Sequence, residues 1–359
     1  MLPSLLTFLA PINDRQTPTI NIDNKPHSPD SPARSVVAVG TNAKMLRIVQ
    51  EKWNKFSFPF KRTGFNGFYK LKSGKASDLI PFVKTCKQEG IIPFVLGSGR
   101  SPAKYLFDAY QFLEKPFNLA YLTRAIGGDE GLTGKLLSVR EPFLCHLSLL
   151  GIQSPYVDMK VVNLIEKEYF NYLRLGTLKK EIAQAEPAIR FSDLVLFDIN
   201  SLGNAPVPAK CHPSPIGFSA EEACQLVYYG GRSERNPLFC LFGWPRTTSN
   251  PNLCTLLANL IWYFCFGIEY RPDVYPPDSR ELTSYILDAS VSENQLNFFK
   301  HKVENKWWLK YPNKLSGPLK EHPFIPCDYA DYDSVIKGES LSLHLLNVLQ
   351  CYERFTSRQ

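Results

Sequence analysis

Residues 194–208 read LVLFDINSLGNAPVP, and the reading of this stretch decides the architecture of the chain. Leu194, Val195, Leu196 and Phe197 show no polar alternation, the pattern of a strand covered on both faces, as strands of parallel sheets are. Asp198 closes the strand, Asn200 follows on the same strand face, and a loop rich in Gly and Pro ends the unit. Sheets of this kind bind ligands beyond the carboxyl ends of their strands. A buried carboxylate in that place needs a metal ion, a basic group or helix N–H groups as its partner. Asn200 offers an amide oxygen that can coordinate a hard cation but adds no negative charge. Three readings stay open: a working metal site, a lost one, or a carboxylate held by hydrogen bonds.

Outward from this stretch, strand and helix alternate. SVVAVGTN (35–42), stopped at Gly40, reads as a buried strand, and AKMLRIVQEKWNKF (43–56) has helical spacing. SDLIPFVKTCKQEG (77–90) reads as a helix capped by Ser77 or Asp78 and stopped by Gly90. IIPFVLGSG, SPAKYLFDAYQFLEK and FNLAYLTRAIGG continue as strand, helix and strand. SAEEACQLVYYGG places Ser219 at a helix cap with Glu222 three residues on, and NPLFCLFGWP is a further strand. CTLLANLIWYFCFGIEY is apolar on nearly all sides, as a buried helix is. The order implies an α/β fold, a mostly parallel sheet covered by helices. Residues 11–34 are rich in Pro, Asp, Asn and Ser, and 1–34 read as an extended or flexible arm. Residues 35–330 read as one α/β domain, and 331–359 as a C-terminal helix and tail.

Composition narrows the partners. The 359 residues are 44% hydrophobic, and the net charge of +7 comes from scattered basic residues. That favours a solvated surface over a nucleic-acid groove. Nine cysteines stand singly, without a C-x-x-C pair, and read as reduced core thiols of a cytoplasmic protein. The start MLPSLLTFLAP lacks the basic region and cleavage site of a signal peptide, and no membrane span is expected.

Two further strand ends carry candidate chemistry. LGSGRSP places Gly97 and Gly99 before a helix, a spacing that admits phosphate or simply a tight turn. It lacks the third glycine of a dinucleotide fingerprint and the Lys of a P-loop. RAIGGDEG offers Asp129 and Glu130, a metal loop or a solvated turn. The six histidines form no H-x-x-x-H pair, and no Gly-x-Ser-x-Gly elbow follows a strand. Trp307 and Trp308, beside Lys306 and Lys310, read as a binding surface or as packing at a sheet edge.

Taken in order, FVLGSGRSPAKY, FNLAYLTRAIG, LGIQSPY, YLRLG, AEPAIRFSDLVLFDINSL, PIGFSAEEACQLVYYGGRS, LIWYFCFG and NKWWLKYP resemble the ureohydrolase family of arginases, agmatinases and formiminoglutamases. The likeness is closest to a divergent Bacteroidetes branch, and it covers about residues 35–330. It implies a three-layer α/β/α sandwich, an oligomer, and a dinuclear manganese site whose bridging water attacks a guanidino or formimino carbon. It also implies where the ligands should be. Those positions here hold Arg100, Thr123, Ala125, Gly127, Asp198 and Asn200, with one carboxylate among them. Such a set cannot neutralise two divalent cations. Arg100 is expected instead to pair with Asp198.

The resulting expectation is a pseudoenzyme with no metal cofactor, acting as a scaffold that binds a protein partner or a small ligand. Its rival is an active formimidoylglutamase- or arginase-like hydrolase with an altered manganese site, using Asp198 with Asp129 or Glu130.

Overall fold

The computed structural model describes residues 9–11, 34–71, 79–126, 132, 143–204, 214–246, 250–271, 279–287, 295–313, 315, 319 and 323–356. Its strands begin with β1 (Leu9–Pro11), β2 (Arg34–Gly40), β3 (Thr63–Leu71), β4 (Ile91–Ser98) and β5 (Phe117–Leu122). They continue with β6 (Leu144–Ile152), β7 (Asn171–Arg174), β8 (Leu194–Asp198) and β9 (Leu238–Trp244). These nine form one sheet in the order β1-β3-β2-β4-β9-β8-β5-β6-β7. Every neighbouring pair is parallel except that β1 lies antiparallel beside β3, at the edge of the sheet. The stretch read as an arm therefore contributes an edge strand; residues 12–33 lie outside the described part.

Helices cover both faces. The first are α1 (Ala43–Trp53), α2 (Leu79–Glu89), α3 (Ser101–Gln111), α4 (Met159–Lys167) and α5 (Leu175–Lys180). α6 (Glu186–Arg190), α7 (Ala220–Gly231) and α8 (Pro251–Glu269) follow. Val36, Leu96, Val195 and Leu241 point toward α1, α7 and α8, and Val95, Leu196 and Cys240 toward α2 and α3. The product is the three-layer α/β/α sandwich, and β4, β8 and β9 are buried along their whole length, as their unbroken apolar runs require. Ser219 and Glu222 form the expected capping box at the start of α7. Among the described helices, α8 alone is long and apolar enough to cross a membrane, and most of it is buried in the sandwich.

A second, antiparallel sheet was not legible in the alternating pattern. It comprises β10 (Leu282–Leu287), β11 (Leu296–His301), β12 (Trp307–Lys310) and β13 (Phe324–Cys327), followed by α9 (Tyr329–Ile336) and α10 (Leu343–Thr356). Trp307, Trp308 and Lys306 are buried here, so this stretch is packing and not a binding surface. Arg190, at the end of α6, joins the two sheets. Its side chain is wholly buried, pairs with Glu186 at 2.9 Å and Glu234 at 3.5 Å, and donates to the Trp307 carbonyl at 3.0 Å. Lys306 returns to Glu234 at 3.0 Å, so each buried charge has an opposite partner.

The final helix docks as its apolar face predicts, with a polar seam against β6 and β7. The Asn171 amide donates to His146 Nε2 at 2.9 Å and to His344 Nδ1 at 2.7 Å, and Asn347 donates to Asn171 Oδ1 at 2.7 Å. His146 Nδ1 lies 3.4 Å from Cys351 Sγ. Burial pulls the pKa of His344 down to about 4 and that of His146 well below its usual value. Both rings are neutral in the fold and more basic in the unfolded chain. Stability from this seam is thus full above pH 6.5 and is lost as the pH falls toward 4. We expect the urea unfolding free energy to drop between pH 7.5 and pH 5, with about 2 kcal/mol of the drop from His344 alone. The drop should shrink in His344→Gln; an equal drop in that variant would contradict the assignment.

Candidate functional site

β8 delivers Asp198 to the carboxyl edge of the sheet between β9 and β5. The strand stops there because Ile199–Ser201 turn as a single 3-10 turn with Asp198 as its cap. Asp198 Oδ1 accepts the Asn200 backbone N–H at 2.9 Å and its side-chain amide at 2.6 Å. The same amide reaches the Gly243 carbonyl at 3.2 Å. Asn200 does not continue along the strand face, as the spacing predicts; the turn folds it back onto the carboxylate. Ser201 donates its hydroxyl to the Asp198 carbonyl and, at 3.3 Å, to that of Leu122.

This carboxylate is 4% exposed, and burial raises its pKa. The Asn200 hydrogen bonds and the charges of Arg100 and Arg124 oppose the rise without cancelling it. Gly243 closes the site from β9. With φ of 107°, it brings its α-carbon so near that an added Cβ would sit 2.4 Å from Asp198 Oδ1 and 2.7 Å from Asn200 Nδ2. A side chain there would displace the carboxylate–amide pair. The glycine stands in LFGWP, a stretch whose apolar reading concealed this role.

On β4, a Cβ at Gly97 would meet Pro102 at 2.6 Å, so the first turn of α3 rests directly on the strand. Gly99, with φ of 72°, donates its N–H to the Trp244 carbonyl at 2.8 Å and accepts from Gly243 at 3.1 Å. The tight turn expected of LGSGRSP is therefore present. Arg100 is the helix cap of α3, exposed and without a side-chain capping bond. It makes no ion pair with Asp198, contrary to expectation. The physical reason is that Asn200 already serves the buried carboxylate, while the cap position carries Arg100 outward.

Just beyond β5, Thr123 is buried, and its hydroxyl bonds the Ala125 carbonyl at 3.2 Å and N–H at 3.3 Å. Arg124 lies 4.9 Å from the centre of the Tyr156 ring. The structure thus gathers Gly97, Gly99, Arg100, Thr123, Ala125, Asp198 and Asn200 at neighbouring strand ends. Gly127, Asp129 and Glu130 lie outside the described residues. Among the described residues, no three His, Cys, Asp or Glu side chains come together as a set of metal ligands. The described cysteines are free, and all but the half-buried Cys224 are buried.

No protein-family model matches the sequence, and no curated protein is significantly similar to it in sequence. Solved structures do share the fold. Trypanosoma cruzi formiminoglutamase, crystallised with Mn2+, aligns with a TM-score of 0.56 at 14% identity over 69% of this chain and 96% of that one. Formimidoylglutamase from Bacillus subtilis aligns with 0.54 at 10% identity over 67% and 89%. Agmatine ureohydrolase of Thermoplasma volcanium aligns with 0.51 at 15% identity over 71% and 96%. The architecture is that of the arginase-like fold, and at these identities the likeness establishes the fold alone.

The carboxylate–amide pair yields a direct test. Asn200→Asp sets a second carboxylate against Asp198 in a buried place, so one of the two must hold a proton. The folded form then binds that proton more tightly than the unfolded chain does, and stability rises as the pH falls. We expect a loss of about 3 kcal/mol at pH 7.5 that shrinks at pH 5, read by urea unfolding. A variant as stable as the parent at pH 7.5 would show that Asn200 is not seated on Asp198.

Proposed function

We propose that this chain is a ureohydrolase-fold protein in which the dinuclear manganese centre has been dismantled, and that it acts by binding a partner at the strand ends. The observation that carries the reading is the donor set. The positions that the sequence resemblance assigns to metal ligands hold, among the described residues, a guanidinium, a threonine hydroxyl, a methyl group, one carboxylate and one amide. Ala125 has no side-chain donor, and Arg100 repels a cation. One Asp198 oxygen, Oδ1, already accepts two hydrogen bonds from Asn200, and Gly243 closes over it. Two divalent cations need several deprotonated ligands to offset their charge. These residues do not fit the group.

The divergent branch suggested by the sequence belongs to the same reading: the fold is kept, while its strand ends have been refitted with internal hydrogen bonds. A small ligand or a protein segment seated at the mouth is the activity this leaves. Formiminoglutamate, arginine and agmatine, incubated with the Mn2+-supplemented protein, test it. The expected outcome is no formamide or urea above the protein-free control. Turnover that disappears in Asp198→Asn would overturn the reading and establish an amidine hydrolase with an altered site.

A further inference from the structure

Helices α1 and α8 lie side by side over one face of the sheet, and their outward surface is at once basic and aromatic. Lys44, Arg47 and Glu51 are exposed along one stripe of α1, and Lys55 and Lys61 in the loop that joins it to β3. Among the described residues, none of these four basic side chains makes an ion pair. Glu51 is the one acidic residue that α1 and the loop contain.

The aromatic part follows the outward stripe of α8. Trp262 and Phe266 are half-buried there, and Tyr263 and Tyr270 are 37% and 50% exposed. Trp262 stacks on Phe266 with ring centres 4.9 Å apart, and Phe266 meets Tyr270 edge-on at 4.9 Å. The loop after α1 brings the half-buried Phe56 and Phe58 to this stripe, where Trp262 donates its Nε1–H to the Ser57 carbonyl at 2.8 Å. Glu269, at the end of α8, fixes the far side of the loop. Its carboxylate accepts the backbone N–H groups of Lys61 at 2.8 Å, Arg62 at 2.9 Å and Thr63 at 2.9 Å. Beyond the stripe, α7 and α8 part in an open groove of about 550 Å³ that Tyr228, Tyr263 and Phe266 line.

Contiguous aromatic surface left open to solvent marks a place of contact. Indole and phenol rings settle at the level of lipid headgroups, where the apolar body and the polar tip are both satisfied. Lysines beside them match the negative potential of an anionic leaflet. A single-stranded nucleic acid would call for a basic groove that tracks its backbone, whereas this groove holds Glu221 and no basic residue. We propose that the face formed by α1, its following loop and the C-terminal half of α8 docks on an anionic lipid surface. The aromatic side chains rest among the headgroups, and Lys44, Arg47, Lys55 and Lys61 meet the lipid phosphates. The contact is peripheral: most of α8 is buried in the sandwich and stays there. This goes beyond the proposed function and does not depend on what the strand-end mouth binds.

Co-sedimentation of the full chain with vesicles of phosphatidylcholine, alone or with about 30% phosphatidylglycerol, reads the contact. Binding to the mixed vesicles is expected, about tenfold tighter than to phosphatidylcholine alone and weakened by added salt. Lys55→Glu with Lys61→Glu should weaken it by about tenfold, and the exposed Tyr270→Ser by about threefold, with the urea midpoint held. Lys84→Glu with Lys104→Glu makes the same charge change on α2 and α3, across the sheet, and should stay within about twofold of the parent. No binding to the mixed vesicles, or parent affinity in the Lys55 and Lys61 variant, would overturn the inference. So would an equal loss in the Lys84 and Lys104 variant, which would assign the attraction to the net charge of the whole chain. Binding of a single-stranded oligonucleotide without binding of vesicles would overturn it in favour of a nucleic-acid face.

Discussion

A negative charge at the end of a fully buried strand is the constraint around which the rest of the mouth is arranged. Asp198 is enclosed by β9 and β5 and cannot be left without partners. In the solution adopted here, the chain satisfies its own carboxylate: the 3-10 turn folds Asn200 back, and both of its N–H donors meet one oxygen. Gly243 must then be a glycine, because the pair occupies the space a side chain would need. Arg100 and Arg124 act on Asp198 only through their charge, without an ion pair.

The same rule, that buried charge must be matched locally, holds the two sheets together. Arg190, Glu234 and Lys306 are buried with their charges opposed, and the Arg190 guanidinium reaches carbonyls of Trp307 and Cys327 across the boundary. Removing one member would leave an uncompensated ion, which is costlier than never having buried the set. The antiparallel sheet therefore acts as a fixed part of the body, with Trp307 and Trp308 in its packing.

Much of the central sheet was legible because its strands are buried on both faces and read as unbroken apolar runs, from Val36 to Phe242. Ser219 with Glu222, and Gly90 with its left-handed backbone, marked helix ends by local chemistry alone. The second sheet escaped because β10 alternates irregularly and its apolar partners come from distant α10 and Phe191. At the site, the residues were legible and their geometry was not. A period-two reading placed Asn200 on the strand face, whereas the turn begins one residue earlier. The Arg100–Asp198 pair failed for the same reason: charge suggested it, but the amide two residues away reached the carboxylate first. Gly243 gave no signal, since its role depends on an approach between strands 43 residues apart in sequence.

The claim that the centre has been refitted rests on what Asp198 can still offer a cation. The most direct measurement is the manganese content of the purified protein after incubation with excess Mn2+ and desalting, by elemental analysis. The account predicts no stoichiometric metal and no rise in melting temperature with Mn2+. Retention near two ions per chain, with a matching rise in stability, would contradict it.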